Sequence, residues 1–240
     1  LMNWSAYHTA TRTATYGFLS ALPLWLLYEV MIVVVNHGRM ARVHVGAEVW
    51  LKQLLAVIGG AGFMVLGGLV LVVGIGVVWY EWDRDIPMRG RYFAWMVGES
   101  AAYAVVVALL VSGVVGAIFA IAPQGGLAEI DLGTQLALSI GAGVYEELVF
   151  RVVLVGGLYL ALRQVWSETW AAYPVAALVG AAIFSGVHYL GAYGDAFTLA
   201  SFTFRFLFGL VLNGLFLARG FGIAAWTHAL YDVMVVTQLL

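Results

Sequence analysis

The sequence predicts an all-α protein that crosses a membrane as a bundle of about seven helices, within a range of about six to eight. Hydrophobic residues make up 63% of the 240 residues and charged residues only 10%, and the mean hydropathy is +0.97. A soluble domain carries roughly 25% charged residues. Cysteine is absent, which excludes disulfides and thiolate chemistry.

Seven apolar runs have the length of membrane spans, which need about 20 residues each. They cover roughly 16–36, 54–80, 92–122, 133–162, 174–190, 198–218 and 222–240. Pro174 suits the first turn of the fifth helix. Segment 41–52 mixes charged and apolar residues, as is typical of an amphipathic helix at the membrane interface.

The chain forms one integral membrane domain in this interpretation, since it contains no internal repeat or linker. Within it, residues 1–132 form a three-span region without recognisable motifs, and residues 133–240 form a helical core that carries the polar motifs described next. Nothing in the composition indicates nucleic-acid binding, because the net charge is −2 and no basic run occurs.

Lys and Arg are distributed unequally between the two sides, which predicts a cytoplasmic N-terminus. The side that shares the N-terminus carries Arg12, Arg84, Arg89, Arg91, Arg163 and Arg219. The opposite side carries Arg39, Arg42 and Lys52.

Two adjacent acids, Glu146 and Glu147, lie in the fourth apolar run. Residues four apart share a face of a helix, so Glu147 and Arg151 are predicted to form an ion pair that supports the structure. Glu146 points elsewhere and has no local cation. Because two neighbouring carboxylates at low dielectric do not both ionise cheaply, we interpret Glu146 as a general base. The alternative is a charge cluster that only ties helices together.

Histidines lie in the fifth and seventh runs. His188 follows Phe184 by one helical turn, and His228 precedes Asp232 by four residues, so each pair shares a face. A lone histidine in an apolar helix is more often a satisfied interior residue than a catalyst. Two of them beside an acid pair favour function, and Asp232 would hold His228 in one tautomer or keep it cationic.

A divalent metal such as zinc is the competing interpretation of these side chains. Glu146, His188, His228 and Asp232 offer the nitrogen and oxygen ligands that zinc accepts. No His-Glu-x-x-His motif occurs, however, and no Gly-x-Ser-x-Gly motif occurs either. We therefore favour a water activated by glutamate, with no cofactor.

In these residues the chain resembles the CAAX-protease and bacteriocin-processing family of intramembrane proteases, also called CPBP or Abi. The shared motifs are, in order, Glu146-Glu147-x-x-x-Arg151, Phe184-x-x-x-His188 and His228-x-x-x-Asp232. Each motif alone is weak, but the ordered set is fairly specific. The likeness covers about residues 133–235, and the first ninety residues carry no sign of it.

The resemblance implies peptide hydrolysis inside the membrane. By analogy, Glu146 and His188 would activate a water, and His228 with Asp232 would stabilise the tetrahedral oxyanion. Glu147, Arg151 and Phe184 would support the site. The prenyl-processing members carry Asn at the last position, so Asp232 departs from them. A charged carboxylate repels an oxyanion, so Asp232 would have to be protonated, act through His228 or bind a metal.

Three further ionisable residues, Glu29, Glu99 and Arg205, lie in apolar runs without an evident partner. We interpret Glu29 as structural. Arg205 either pairs with Glu146 or Glu99, receives a substrate carboxylate, or belongs to a structural salt bridge.

The sequence thus predicts a multi-pass membrane endopeptidase whose partners are membrane lipid and a membrane-anchored peptide or protein substrate. One alternative is a non-catalytic membrane subunit that keeps the family fold and binds a partner protein or a larger membrane complex. A metal-dependent protease is another. A proton or ion carrier is a third, although the chain lacks the repeated halves typical of transporters.

Overall fold

The structure is a computed structural model that describes residues 3–37, 43–57, 62–119, 131–166, 169–191 and 194–239. Every regular element within these ranges is helical, which confirms the all-α prediction. Five helices are long and apolar enough to cross a membrane. Two shorter apolar helices, Leu66–Tyr80 and Phe221–Val236, coincide with the predicted second and seventh spans. The chain is an integral membrane protein.

The helices are numbered α1 to α9 along the described chain. They are α1 Trp4–Thr11, α2 Ala14–Val35, α3 Gly46–Val57, α4 Gly62–Tyr80, α5 Gly90–Phe119, α6 Leu132–Val165, α7 Thr169–Val187, α8 Leu199–Arg219 and α9 Phe221–Val236. A short 3₁₀ turn, Trp82–Arg84, follows α4.

Side-chain caps mark the start of three of the long helices. Thr13 accepts a hydrogen bond from the backbone N–H of Tyr16 at α2, and Thr198 does the same for Ser201 at α8. Asp131 caps α6 by accepting from Thr134, at 3.0 Å from its amide and 2.6 Å from its hydroxyl. These two bonds stabilise the carboxylate and hold the pKa of Asp131 below its ordinary value.

Large apolar side chains cover much of the outer surface of the bundle. Examples on α2, α4 and α5 are Val30, Val34, Val72, Ile75, Leu109 and Ile118. In water such a surface would be strongly unfavourable, whereas lipid tails solvate it. The exposed faces therefore fit a helix bundle surrounded by hydrocarbon.

Helix α9 lies at the centre of the bundle, in contact with α2, α5, α6 and α8. Its residues Ile223, Ala224 and Ala225 are fully buried. The small side chains of Ala224 and Ala225 let the neighbouring helices approach closely. This central position brings His228 and Asp232 into the interior rather than toward lipid.

Segment 41–52 was predicted to be an interfacial amphipathic helix, and the prediction is only partly right. The helix found there, α3, runs from Gly46 to Val57, and residues 41 and 42 lie outside the described residues. Glu48 is completely buried and contacts His44, Lys52 and the hydroxyl of Tyr28. The polar side of α3 therefore faces the protein. The reason is that Tyr28 of α2 donates a hydrogen bond to Glu48, a contact that the sequence of the segment alone does not reveal.

Glu99 was predicted without an evident partner and Arg219 was assigned to a loop. In the structure they form an ion pair in which Arg219 is buried and Glu99 is partly exposed. Arg219 donates from Nε and Nη2 to the two carboxylate oxygens of Glu99, at 2.6 and 2.8 Å. Tyr7 donates to the same carboxylate at 2.6 Å, and Thr11 accepts from Arg219 at 3.1 Å. The pair therefore joins α1, α5 and the end of α8.

Candidate functional site

The three polar motifs come from α6, from the end of α7 and from α9, and all three face the bundle interior. Glu146 lies within 4.0 Å of His188, and Glu147 lies within 2.7 Å of His228. His228 in turn is 3.5 Å from Asp232. Side chains separated by up to 86 positions in the sequence thus form one connected polar cluster.

Helix α6 departs from α-helical geometry where it carries the acids. Residues Ala142–Glu146 and Leu148–Val155 have π-helical hydrogen bonding. Such segments are rare and frequently occur at functional sites. The wider turn changes the direction in which successive side chains point, so the ideal α-helical spacing used for the sequence predictions holds only approximately here.

Close contact between α6 and α9 depends on Gly143. A Cβ atom at this position would lie 2.6 Å from the carbonyl oxygen of Ala225 and 2.6 Å from the side chain of Ala229. Only glycine fits without a shift of the backbone. The glycine therefore allows α6 to bring Glu147 into direct contact with His228 of α9.

Glu147 is the most enclosed member of the cluster. Its Oε1 atom lies 2.9 Å from Nη1 of Arg151 and 2.7 Å from Nδ1 of His228. Both Glu147 and Arg151 are almost completely buried, and the guanidinium of Arg151 stacks 4.6 Å from the centre of the Phe184 ring. The sequence indicated the contact with Arg151 through its spacing, but it gave no sign of the contact with His228.

Glu146 and His188 form the more accessible part of the cluster. Their side chains are 16% and 26% exposed, and Oε2 of Glu146 lies 4.0 Å from Nε2 of His188. Nδ1 of His188 lies 2.7 Å from the carbonyl oxygen of Phe184. Because a carbonyl only accepts, Nδ1 carries the proton, and in the neutral ring Nε2 presents its lone pair toward Glu146.

His228 lies between two carboxylates and two aromatic rings. Its Nδ1 faces Glu147 and its Nε2 faces Asp232, which is an arrangement that a doubly protonated imidazolium satisfies. The rings of Phe208 and Phe184 lie 5.1 and 6.2 Å from it, edge-on. The aromatic walls exclude water on those sides, which strengthens the interaction of His228 with nearby charge.

The four candidate metal ligands do not form a common coordination site in this conformation. Among the residues that the structure describes, no three His, Asp or Glu side chains are grouped so that they could hold a metal ion. The ring nitrogens of His228 both face carboxylates, and Nδ1 of His188 faces a backbone carbonyl. The zinc set of Glu146, His188, His228 and Asp232 therefore stays a prediction from residue types alone.

Glu29 is close to the site through a neighbour of the acid pair. Its carboxylate accepts a hydrogen bond from Tyr145 at 2.8 Å, and Tyr145 accepts from Trp25 at 2.9 Å. Tyr145 directly precedes Glu146. Glu29 thus fixes the π-helical segment against α2, in agreement with the structural role predicted for it. It was also predicted to have no evident partner, and here Tyr145 is its partner.

Arg205, also predicted without a definite partner, contacts neither Glu146 nor Glu99 among the interactions of the described residues. It pairs instead with Asp195, Tyr189 and Ser201 at the end of the bundle where α7 ends and α8 begins. Asp195 and Ser201 belong to the segment around the start of α8 and carried no sequence signal. Tyr189 directly follows His188, and this adjacency was the one indication in the sequence that Tyr189 lies near the candidate site.

A known protein family matches the part of the chain that carries this cluster. Residues 128–234 match the family described as type II CAAX prenyl endopeptidase Rce1-like. This part of the chain is therefore similar to the Rce1-like family. No curated protein and no solved structure matches the chain.

The Rce1-like region contains every residue of the polar cluster, from Glu146 to Asp232. The match confirms the resemblance to the CAAX-protease family. Together with the apolar helices, it supports an intramembrane protease as the general class of the protein. Helices α1 to α5 precede the matched region.

Proposed function

We propose that the protein is an intramembrane endopeptidase that hydrolyses a peptide bond of a membrane-anchored peptide or protein. In this proposal a water held between Glu146 and His188 is the nucleophile. The similarity of residues 128–234 to the Rce1-like family supports the reaction class. Because the matching family is one of CAAX prenyl endopeptidases, a prenylated peptide is the first substrate to test.

The observation that carries the proposal is the separation of 4.0 Å between Oε2 of Glu146 and Nε2 of His188. Two acceptors that each lie about 2.8 Å from one water oxygen are roughly 4 to 4.5 Å apart when the water donates to both. Both side chains are partly exposed, so a water can reach this position. The gap therefore fits a single water polarised by two bases.

The chemical steps follow from this position. Glu146 takes a proton from the water as its oxygen attacks the carbonyl carbon, which gives a tetrahedral intermediate with a negative oxygen. Glu146 then returns the proton to the nitrogen of the leaving peptide as the C–N bond breaks. The carboxylate is regenerated and the products are a carboxylic acid and an amine.

His228 is proposed to stabilise the negative oxygen of the intermediate. In the resting site its Nε2 faces Asp232 at 3.5 Å, a weak contact that a developing oxyanion can replace. Glu147 compensates the positive charge of His228 and Arg151 in the buried part of the site. Asp232 acts through His228, since a charged carboxylate in direct contact with an oxyanion would repel it.

The orientation of the chain is also a proposal. The six arginines on the N-terminal side favour a cytoplasmic N-terminus. His188 ends α7 on the opposite side of the bundle from Arg12, so in this orientation the accessible edge of the cluster lies toward the non-cytoplasmic face. Cysteine-accessibility labelling in intact cells distinguishes the two orientations, because the native chain has no cysteine.

The decisive experiment is cleavage of an S-prenylated peptide by the purified protein and by Glu146→Gln in liposomes. We expect the substitution to lower the rate at least about 10²-fold, the usual contribution of a general base. Asp83→Asn, which removes an exposed acid outside the cluster, is the matched control and should cleave normally. Full activity of Glu146→Gln with intact folding would remove Glu146 as the base.

Treatment with a chelator separates this mechanism from the metal-dependent alternative. The glutamate mechanism predicts unchanged activity after dialysis against EDTA or phenanthroline. Loss of activity that returns on addition of zinc would favour the metal-dependent protease. Absence of cleavage by the wild-type protein, together with recovery in fixed stoichiometry within a larger membrane complex, would favour the non-catalytic subunit.

A further inference from the structure

Tyr145 joins the π-helical part of α6 to a helix outside the residues that match the Rce1-like family. Its hydroxyl donates to Oε1 of Glu29 at 2.8 Å and accepts from the indole N–H of Trp25 at 2.9 Å. Both partners belong to α2, and the side chain of Tyr145 is almost completely buried. Because Tyr145 directly precedes Glu146, these bonds hold the backbone one residue before the proposed base.

A second contact with α2 fixes the start of the same segment. Gly141 lies immediately before the π-helical residues Ala142–Glu146, and a Cβ atom on it would lie 2.4 Å from the ring of Tyr28. Tyr28 is completely buried and its hydroxyl is bonded to Glu48 of α3, so the ring is not free to move aside. The same ring packs edge-on against Tyr145, with 5.4 Å between the ring centres. Helix α2 therefore contacts the segment at Gly141 and again at Tyr145.

The π-helical hydrogen bonding of this segment determines the direction in which Glu146 points. A π-turn holds one residue more than an α-turn, and successive residues of an α-helix are about 100° apart around the axis. Conversion of Ala142–Glu146 to regular α-helix would therefore rotate the following side chains by roughly 100° relative to the preceding ones. Glu146 would then leave its position 4.0 Å from His188. Because π-helical turns are rare, we attribute this one to contacts from outside the helix.

We propose that Tyr145 is a positioning residue, whose hydrogen bonds to α2 keep α6 in the π-helical conformation that directs Glu146 toward His188. Tyr145 acts through the backbone that it shares with Glu146 and not by contact with substrate. The consequence for catalysis rests on the endopeptidase function proposed above, whereas the conformation of α6 can be tested without any cleavage. The proposal also gives α2, which carries no family motif, a part in the site.

The first test separates positioning from substrate binding. Tyr145→Phe keeps the buried ring and removes the hydroxyl that contacts Glu29 and Trp25. For an S-prenylated peptide in liposomes we expect kcat to fall roughly ten- to hundredfold with KM unchanged, because a misplacement of about 1 Å has effects of this size. Tyr16→Phe is the matched control, since Tyr16 is a completely buried tyrosine of α2 whose hydroxyl donates to the carbonyl of Pro87. It should leave kcat unchanged.

Two substitutions of Glu29 test the hydrogen bond itself. Glutamine keeps an oxygen that accepts from Tyr145, so Glu29→Gln should retain most of the activity. Glu29→Met removes the acceptor at similar volume and should behave like Tyr145→Phe. Because both of these variants remove the same bond, the double variant should lose little more kcat than either alone. Equal losses of kcat in Glu29→Gln and Glu29→Met would overturn the role of this bond.

Cross-linking reports the direction of residue 146 without any need for activity. The chain has no cysteine, so Glu146→Cys together with His188→Cys provides the only two thiols, which a short bifunctional thiosulfonate reagent can join. We expect efficient cross-linking in this protein and in its Tyr16→Phe derivative. The Tyr145→Phe derivative should cross-link several-fold more slowly while it remains folded, as thermal unfolding of the same sample shows.

Unchanged kcat or unchanged cross-linking in folded Tyr145→Phe would overturn the inference and leave the endopeptidase intact. The same holds if the two thiols fail to cross-link while Tyr145 is present. If the wild-type protein cleaves no peptide, the proposed function fails and the cross-linking result alone decides the inference. Should Tyr145→Phe not fold, Glu29→Met takes its place in both measurements, because Glu29 is partly exposed and tolerates substitution more readily.

Discussion

The two adjacent acids have opposite surroundings, although they follow each other in the chain. Glu147 is completely buried, and one of its oxygens faces both Arg151 and His228. Glu146 has no such cation and keeps a partly open position near His188. A buried carboxylate with two cationic partners is costly to remove, because its partners would then remain charged and desolvated. The same substitution should therefore have different effects at the two positions.

Glu147→Gln is expected to destabilise the fold by about 3–5 kcal/mol, the usual loss when one member of a buried ion pair is removed. Glu146→Gln should cost less than about 1 kcal/mol, because the replaced oxygens have no strong partner. Thermal unfolding in a fixed detergent measures both. Equal losses of stability in the two variants would contradict the division between a supporting acid and a reactive acid.

At this scale the sequence was informative only about local pairs. Glu147 and Arg151 are four residues apart, so helical geometry predicted that their side chains are in contact. The contact between Glu147 and His228 spans 81 positions and depends on how α6 packs against α9. No spacing rule reports such a contact, which explains why Asp232 was taken as the main partner of His228.

Among the elements, the π-helical part of α6 matters most for the site. It carries both acids, and its close packing on α9 requires Gly143. Hydropathy predicted the position of this span well, because apolar length is a strong signal. It did not predict the π-helical segment, since a changed hydrogen-bond register leaves the apolar content of the helix unchanged.

Gly143→Ala should displace α6 from α9. The added methyl would lie 2.6 Å from a carbonyl oxygen and cannot be accommodated by a side-chain rotation alone. We expect a loss of about 1–3 kcal/mol in stability, as for other overpacked cores, and a lower kcat because Glu147 moves away from His228. Unfolding and peptide cleavage should be measured on the same liposome preparation.

Gly157→Ala on the same helix provides the control for this substitution. A Cβ atom there meets nothing within 4 Å, and alanine favours helix over glycine by up to about 1 kcal/mol. The control should thus be as stable as the wild-type protein or slightly more so. A Gly143→Ala protein that behaves like Gly157→Ala would show that the close approach of the two helices is not needed.

For the molecule as a whole, the Glu99–Arg219 pair connects parts of the chain that are 120 residues apart. It joins α5 to the end of α8 and, through Tyr7 and Thr11, to the short helix α1. The sequence did not indicate Arg219 as the partner of Glu99, because Arg219 was assigned to a loop. In the structure Arg219 is almost completely buried, so the bundle turns this terminal arginine inward.

Breaking this pair should loosen α1 as well as the bundle. Glu99→Gln leaves Arg219 buried without its carboxylate, and we expect a loss of about 3–5 kcal/mol in stability. The double variant Glu99→Leu with Arg219→Met should recover most of it, because apolar residues of similar volume replace a buried pair at little cost. Limited trypsin digestion should cut faster after Arg12 in the single variant, since Arg12 directly follows α1. Unchanged unfolding and digestion in Glu99→Gln would mean that α1 is held by its aromatic contacts with Tyr92 and Trp95 instead.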